Sequence, residues 1–258
     1  MLNSVRNVVV LGSPYDAAAD ALFARFTTPP TDARKALINT LIVTLKAATI
    51  WDKIDAMYML ASADSQAALL NWKSANYNAI AVNSPTFQAD KGYTGDGATS
   101  RLRTQFTPST NGVNFLQDNC GLWVYCLTDV TGGQADLGAN SAPQAQVQSR
   151  RTSNALGIAL SDNTLTAPTS IATSVGLSGA SRAVSTARKA WRNGSQIGAD
   201  SSVTSTGISA AEQWICASNA GLFSTRQVAF AAWTSALTGL ETALYNAVLA
   251  YLQGVGAQ

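Results

Sequence analysis

Residues 183–199 read AVSTARKAWRNGSQIGA. Asn193-Gly194 sits between two runs that alternate apolar and polar residues. An Asn-Gly pair tolerates the positive φ angles of a type I′ turn, so Arg192-Asn193-Gly194-Ser195 predicts a β-hairpin between strands over Ala183–Arg192 and Ser195–Ala199. The triplet Asn193-Gly194-Ser195 also matches the glycosylation sequon, but its turn chemistry explains it fully.

The same grain extends on both sides. Short alternating runs separated by Gly, Asn, Ser and Pro predict further strands at Ala79–Val82, Arg101–Phe106, Cys120–Thr128, Ala155–Leu160, Ser170–Leu177, Gln213–Ser218 and Arg226–Trp233. Turn signals about every ten residues indicate a sandwich or barrel.

The two ends differ. Tyr15–Phe26 is Ala-rich without interior Gly or Pro, and Thr28-Pro29-Pro30-Thr31-Asp32 breaks it. Thr31 or Asp32 is positioned to cap a second helix, whose Ala36, Leu37, Leu41, Leu45 and Ile50 recur at helical steps. Trp51–Ala61 continues the pattern as helix, with Asp52, Lys53 and Asp55 on its solvated face. At the other end, Leu237, Leu240, Leu244, Val248, Tyr251 and Leu252 form one face of a helix over Ser235–Leu252, stopped by Gly254 and Gly256. A lone amphipathic helix after so many strands needs an apolar surface, and the outer face of a sheet supplies it. The expectation is a helical N-terminal segment (1–70) and a β-sandwich (71–258) closed by a C-terminal helix.

Composition narrows function. Of 258 residues only 12% are charged, about half the usual share. There is no histidine, which excludes Ser-His-Asp and Cys-His nucleophile pairs and His-ligated metal sites. The net charge of +2 gives no basic footprint for nucleic acid. Arg150-Arg151 and Arg188-Lys189 are the densest basic spots and read as solvated strand faces. Mean hydropathy is +0.07, enough apolar material for a packed core. No apolar run reaches the roughly 20 residues of a membrane span. Arg6 followed by Val8–Leu11 is too short for a secretory signal, so the chain is expected to start near Met1 and to be made in a cytosol. Cys120 and Cys126 share one strand, about 20 Å apart, beyond disulfide reach. Cys126 with Cys216 remains open across two strands, but reduced core thiols are favoured.

No catalytic, cofactor or metal residues emerge. Glycoside hydrolysis needs two carboxylates about 5–9.5 Å apart. Glu212 and Glu241 are the only glutamates, and neither has an acidic neighbour at suitable spacing. The loop Gly92-Tyr93-Thr94-Gly95-Asp96-Gly97 lacks the Gly-Lys-Ser/Thr ending of a phosphate loop. Asp90 and Asp96 fit no calcium cage, and a plain turn is expected. Trp123, Tyr125, Trp191 and Trp214 invite a sugar-stacking reading, against which core or cross-strand packing is the ordinary role.

Several stretches, in order, carry a resemblance: Thr27–Lys35 (TTPPTDARK), Trp51–Tyr58 (WDKIDAMY), Leu70–Lys73 (LNWK), Phe87–Gly97 (FQADKGYTGDG), Arg192-Asn193-Gly194, Val228-Ala229-Phe230, Leu237-Thr238 and Leu244–Ala247 (LYNA). From about residue 14 to 256 the chain resembles a concanavalin-like, laminin-G-like jelly-roll domain of bacteriophage structural proteins. The resemblance implies a mainly β jelly-roll sandwich and a non-enzymatic virion component of tail, fibre or capsid surface. It would be made in the bacterial host cytoplasm and attached through residues 1–70. Its partners would be other virion proteins, copies of itself in a homo-oligomer, and a host surface glycan. A host-receptor or glycan-binding module is the alternative, and a polysaccharide depolymerase a weaker one. The uncharged polar surface suits this, since closely packed copies carrying strong charge would repel one another.

Overall fold

The computed structural model describes residues 13–167 and 170–258. Arg6 and Val8–Leu11, and with them the expected start of the chain, lie outside the described residues.

The chain opens with α1 (Ala17–Phe23) and α2 (Asp32–Ala47), followed by a 3-10 turn at Trp51–Lys53. Strand β1 (Ile54–Met59) and helix α3 (Ser65–Leu69) come next. Then follow β2 (Ile80–Val82), β3 (Thr86–Gln88), β4 (Gly92–Thr94), β5 (Arg101–Arg103), the short α4 (Pro108–Asn111), β6 (Cys120–Cys126), β7 (Leu137–Ala139), β8 (Gln144–Gln148) and β9 (Gly157–Asp162). The second half holds β10 (Gly176–Val184), β11 (Ala187–Arg192), β12 (Ser195–Ser201), β13 (Trp214–Ile215), β14 (Ala217–Ser218), β15 (Leu222–Phe223), β16 (Gln227–Thr234) and α5 (Glu241–Gly254).

The strands form a sandwich. One sheet runs β12-β11-β10-β6-β16-β4-β3, with β1 also paired to β16; the other runs β2-β5-β13-β7-β8-β9. Between them Tyr58, Leu122, Val124, Leu137, Val147, Leu160, Ile215 and Trp233 form one core. Because strand side chains alternate, the next residues along β1, β6 and β16 point the other way. Met57, Met59, Trp123, Tyr125, Phe230 and Ala232 meet Leu41, Leu45, Leu244, Val248 and Leu252 of α2 and α5 in a second core. The molecule is therefore three layers: helices, first sheet, second sheet. Burying each Leu, Ile or Val here contributes about 1.5–3 kcal/mol. The C-terminal helix covers the outer face of a sheet, as its apolar stripe required. Among the described residues no helix is long and apolar enough to cross a membrane.

Several local expectations hold. Thr31 caps α2, its Oγ1 accepting from the Arg34 amide at 3.3 Å. Asn193 and Gly194 have φ of 48° and 78°, and Arg192 faces Ser195 across the turn. All three cysteines are free and buried.

Others are corrected. Trp51–Ala61 is not a helix. After the 3-10 turn it is strand β1, antiparallel to β16. Ala56, Tyr58 and Leu60 face one core and Met57, Met59 and Ala61 the other. With both faces buried, Ala56–Ala61 is apolar throughout, so its two-residue period does not show. Ala183–Arg192 is not one strand but the end of β10 and all of β11, joined through Ser185-Thr186. Regular strand begins at Gly176 rather than Ser170, which makes only an isolated bridge with Ala155. Gln213–Ser218 is split into β13 and β14 at Cys216, whose φ is 62°. Strands β7 and β8 went unanticipated. Gln146 and Gln148 of β8 are buried, and Gln148 Nε2 donates to Gln146 Oε1 at 3.3 Å.

Candidate functional site

The fold disposes of most sequence candidates. Asp55 is not on a solvated face. It lies on β1, and its carboxylate accepts from the backbone amides of Val113, Asn114 and Phe115, each at 2.9 Å. Asp96 accepts from the amides of Ala98, Thr99 and Ser100 within its own loop, which holds its carboxyl below the usual range. Asp90 pairs instead with Arg34 at 2.6 Å. Gly92–Gly97 is strand β4 running into this self-capped turn. Among the described residues no group of three or more His, Cys, Asp or Glu side chains could hold a metal ion.

Arg188 also departs from expectation. It is fully buried, as is Arg182, and both donate to Asp162 Oδ2. Alternation on β11 turns Arg188 inward, where Asp162, Thr164 and Thr166 receive it. Burial raises the Cys120 thiol to about 12 and lifts those of Cys126 and Cys216 well above the free value. None of the three is poised as a nucleophile.

The four aromatics divide. Trp123 is wholly buried, its Nε1 donating to Thr234 Oγ1 at 3.0 Å, and Tyr125 is buried beside it in the helix-facing core. Trp214 is half-covered by Arg101, whose guanidinium carbon lies 4.2 Å from the ring centroid. Trp191 is only partly buried. It packs on Trp123 with ring centroids 6.5 Å apart, and its Nε1 donates to Ser181 Oγ at 2.7 Å.

Trp191 lines a groove of about 310 Å³ between the β10–β11 hairpin and the start of α5. Its lining includes the substantially exposed Lys189 and Asp200, the buried Glu241, and Ser181, Val184 and Thr238. Lys189 Nζ stands 3.8 Å from Asp200 Oδ2, with both side chains substantially exposed. Val184 is 52% exposed, high for an apolar residue on a strand. The rim is conformationally strained. Thr238, a β-branched residue, has φ of 43°, and Glu241 accepts from the Gly239 amide at 2.8 Å to hold that turn. Backbone strain of this kind is maintained by surrounding structure and concentrates at functional sites. Chemically, the groove offers an aromatic surface, a cationic donor in Lys189 and an open carboxylate acceptor in Asp200. These suit a ligand with one apolar and one hydroxylated face. Composition had marked Trp191 as one aromatic among four. The partners that single it out come from β12 and α5, and only the fold brings them there.

Elsewhere Asp136 and Glu212 are occupied by structural donors. Asp136 takes Arg226 at 3.0 Å and Ser224 Oγ at 2.6 Å. Glu212 takes Arg103 at 2.7 Å and the Gln105 amide at 2.7 Å.

No protein-family model matches the chain, and no curated protein matches it. Solved structures do. Domain 4 of AbnA, a GH43 extracellular arabinanase from Geobacillus stearothermophilus, in complex with arabinotriose, is similar with a TM-score of 0.53 at 11% identity, over 75% of this chain and 98% of that domain. Trypanosoma rangeli sialidase in complex with sialic acid is similar with a TM-score of 0.52 at 10% identity, over 80% of this chain and 38% of the sialidase. The chain thus corresponds to a part of the sialidase only. At such identities the likeness is one of fold: a mainly β sandwich of the kind found in these carbohydrate-active proteins.

Proposed function

We propose that the protein is a non-enzymatic glycan-binding module, with the Trp191 groove as its sugar-contacting surface. The observation that carries this reading is the partly open Trp191 ring flanked by Lys189, Asp200 and Glu241 in one groove. A pyranose or furanose ring presents an apolar face to an aromatic and hydroxyls to charged groups, and small-molecule sites of this type are concave with few polar anchors. The arabinotriose bound by domain 4 of AbnA supports it by analogy of fold. A non-enzymatic role is supported by the engagement of Asp136, Asp162 and Glu212 in ion pairs, which leaves them without the freedom of a general acid or base. A glycan array probed with folded protein tests the reading: binding that disappears in Trp191→Ala is expected, and a blank array refutes it. Assay of sugar release from capsule or lipopolysaccharide tests the depolymerase alternative, with no release expected.

A second reading places this module on a bacteriophage virion, as a tail, fibre or capsid-surface component. It would be attached through its N-terminal part (about 1–70) to other virion proteins and to copies of itself. The ordered motifs from TTPPTDARK to LYNA and the low charge favour it. Mass spectrometry of purified particles tests it, and absence of the protein would overturn it.

A further inference from the structure

Asp200 reaches the Trp191 groove through an irregularity in the edge strand. Where β11 pairs with β12, Arg188 faces Ser201 and Ala190 faces Ile197. Lys189 alone therefore stands opposite Gly198, Ala199 and Asp200. Gly198 turns this bulge with φ of 68°, a conformation open to glycine because it has no Cβ. A bulge at a sheet edge bends the strand and re-aims a side chain. Here it delivers Asp200 to Lys189. Lys189 lies two residues from Trp191 on β11, so the two side chains share the groove face about 7 Å apart along the strand.

The Lys189–Asp200 pair is oriented but not closed. Gln196 Nε2 donates to Asp200 Oδ1 at 2.7 Å, which holds the carboxylate and leaves Oδ2 toward Lys189. The 3.8 Å from Lys189 Nζ to that oxygen exceeds the roughly 2.7–3.2 Å of a hydrogen bond. With 41% and 46% of the two side chains exposed, a ligand can reach both.

An oxygen standing between them has to accept from the ammonium and donate to the carboxylate. A hydroxyl does both. An ionised carboxylate only accepts, so an acidic ligand would take Lys189 and leave Asp200 facing a like charge. Glu241 adds a second carboxylate beneath the surface. It is buried, and its Oε2 accepts from the Gly239 amide rather than from a cation. The N-terminus of α5 offsets only about half of that charge. Two carboxylates thus stand against one ammonium, a balance that opposes a further negative group.

Resting on the reading of this groove as the sugar-contacting surface, we propose that it selects glycans by charge. An uncharged sugar unit lies with its apolar face on Trp191 and bridges Lys189 and Asp200 through one hydroxyl. Units that carry a carboxylate, uronic or sialic acids, are refused.

The test is saturation-transfer NMR of the full chain with matched pairs at millimolar concentration: the methyl pyranosides of glucose, galactose and mannose, each against its 6-carboxylate. At least one neutral member is expected to bind, and its acidic counterpart to bind at least fivefold more weakly. Asp200→Asn keeps the size of an exposed side chain on the edge strand and removes its charge. It is expected to weaken the neutral member and to shrink the gap to less than twofold. An acidic member that binds as well as its neutral counterpart, and loses binding in Trp191→Ala, overturns the charge selection and leaves the groove as the sugar-contacting surface. A gap unchanged in Asp200→Asn overturns the role of the Lys189–Asp200 pair. Binding of no member, or binding indifferent to Trp191→Ala, overturns the groove itself and the charge selection with it.

Discussion

Arg226 grips Asp136 with one terminal nitrogen, at 3.0 Å to Oδ1 and 3.2 Å to Oδ2, and neither side chain has any solvent exposure. The same guanidinium donates to the carbonyls of Val130, Gly132, Gln134 and Arg150. One side chain just before β16 thus fastens the backbone leading into β7 and the segment just after β8. Removing the carboxylate leaves a buried cation without its counter-ion. Asp136→Ala is expected to lower unfolding free energy by about 3–5 kcal/mol, read as a shift in urea midpoint. By contrast Asp200→Ala, at the exposed pair with Lys189, should cost under about 1 kcal/mol.

Trp191→Ala is expected to weaken glycan binding at least tenfold, equivalent to about 1.4 kcal/mol. Circular dichroism should show the β signature intact. Lys189→Met should weaken binding less, because its pair with Asp200 is solvent-screened. Equal affinity in wild type and Trp191→Ala would remove the groove from consideration.

The cysteines supply a probe of native packing. With burial pushing all three thiols up, none is expected to react with a thiol-exchange reagent at pH 8 in the folded protein. All three should react once the chain is unfolded in guanidinium. Rapid labelling of any one under native conditions would show that the sandwich core opens locally.

Asp129 sets a pH dependence. The Ser174 amide, then the Arg150 side chain, holds its carboxyl down at about 2. A depressed carboxylate stabilises the fold above its unfolded pKa of about 3.9, and that contribution drains away as pH falls through about 2. The Asp129 side-chain carbon should therefore keep its ionised NMR shift at pH 3. In Asp129→Asn the acid-unfolding curve should lose slope between about pH 4 and pH 2. An ordinary titration midpoint near 4 would contradict the assigned contacts.

How far the chain could be read depends on what each face meets. The hairpin at Asn193-Gly194 was legible because turn geometry is local and only certain residues adopt it. The helix cap at Thr31 was legible for the same reason. Strand β1 was not, because Ala56-Met57-Tyr58-Met59 is apolar toward both of its neighbours and offers no period. Arg188 misled in the opposite sense. Arginines on a strand read as solvent-facing, and only the arrival of Asp162 from β9 makes their burial tolerable. The groove was half-legible: Trp191 stood out, whereas Thr238, Glu241 and Asp200 join it through packing.

The placement of β16 has a consequence for the order in which the molecule comes into being. This strand pairs with β1, β4 and β6 and so occupies the middle of the helix-facing sheet, yet it spans residues 227–234. A ribosome builds the chain from the other end. Until residue 234 has been joined and has cleared the exit tunnel, β1 and β6 wait with open edges, and Trp123 and Phe115 have no finished core to enter. Closure of the helix-facing sheet therefore comes late in synthesis. During that interval the central edges of β1 and β6, covered in the finished fold, are open to pairing with another chain.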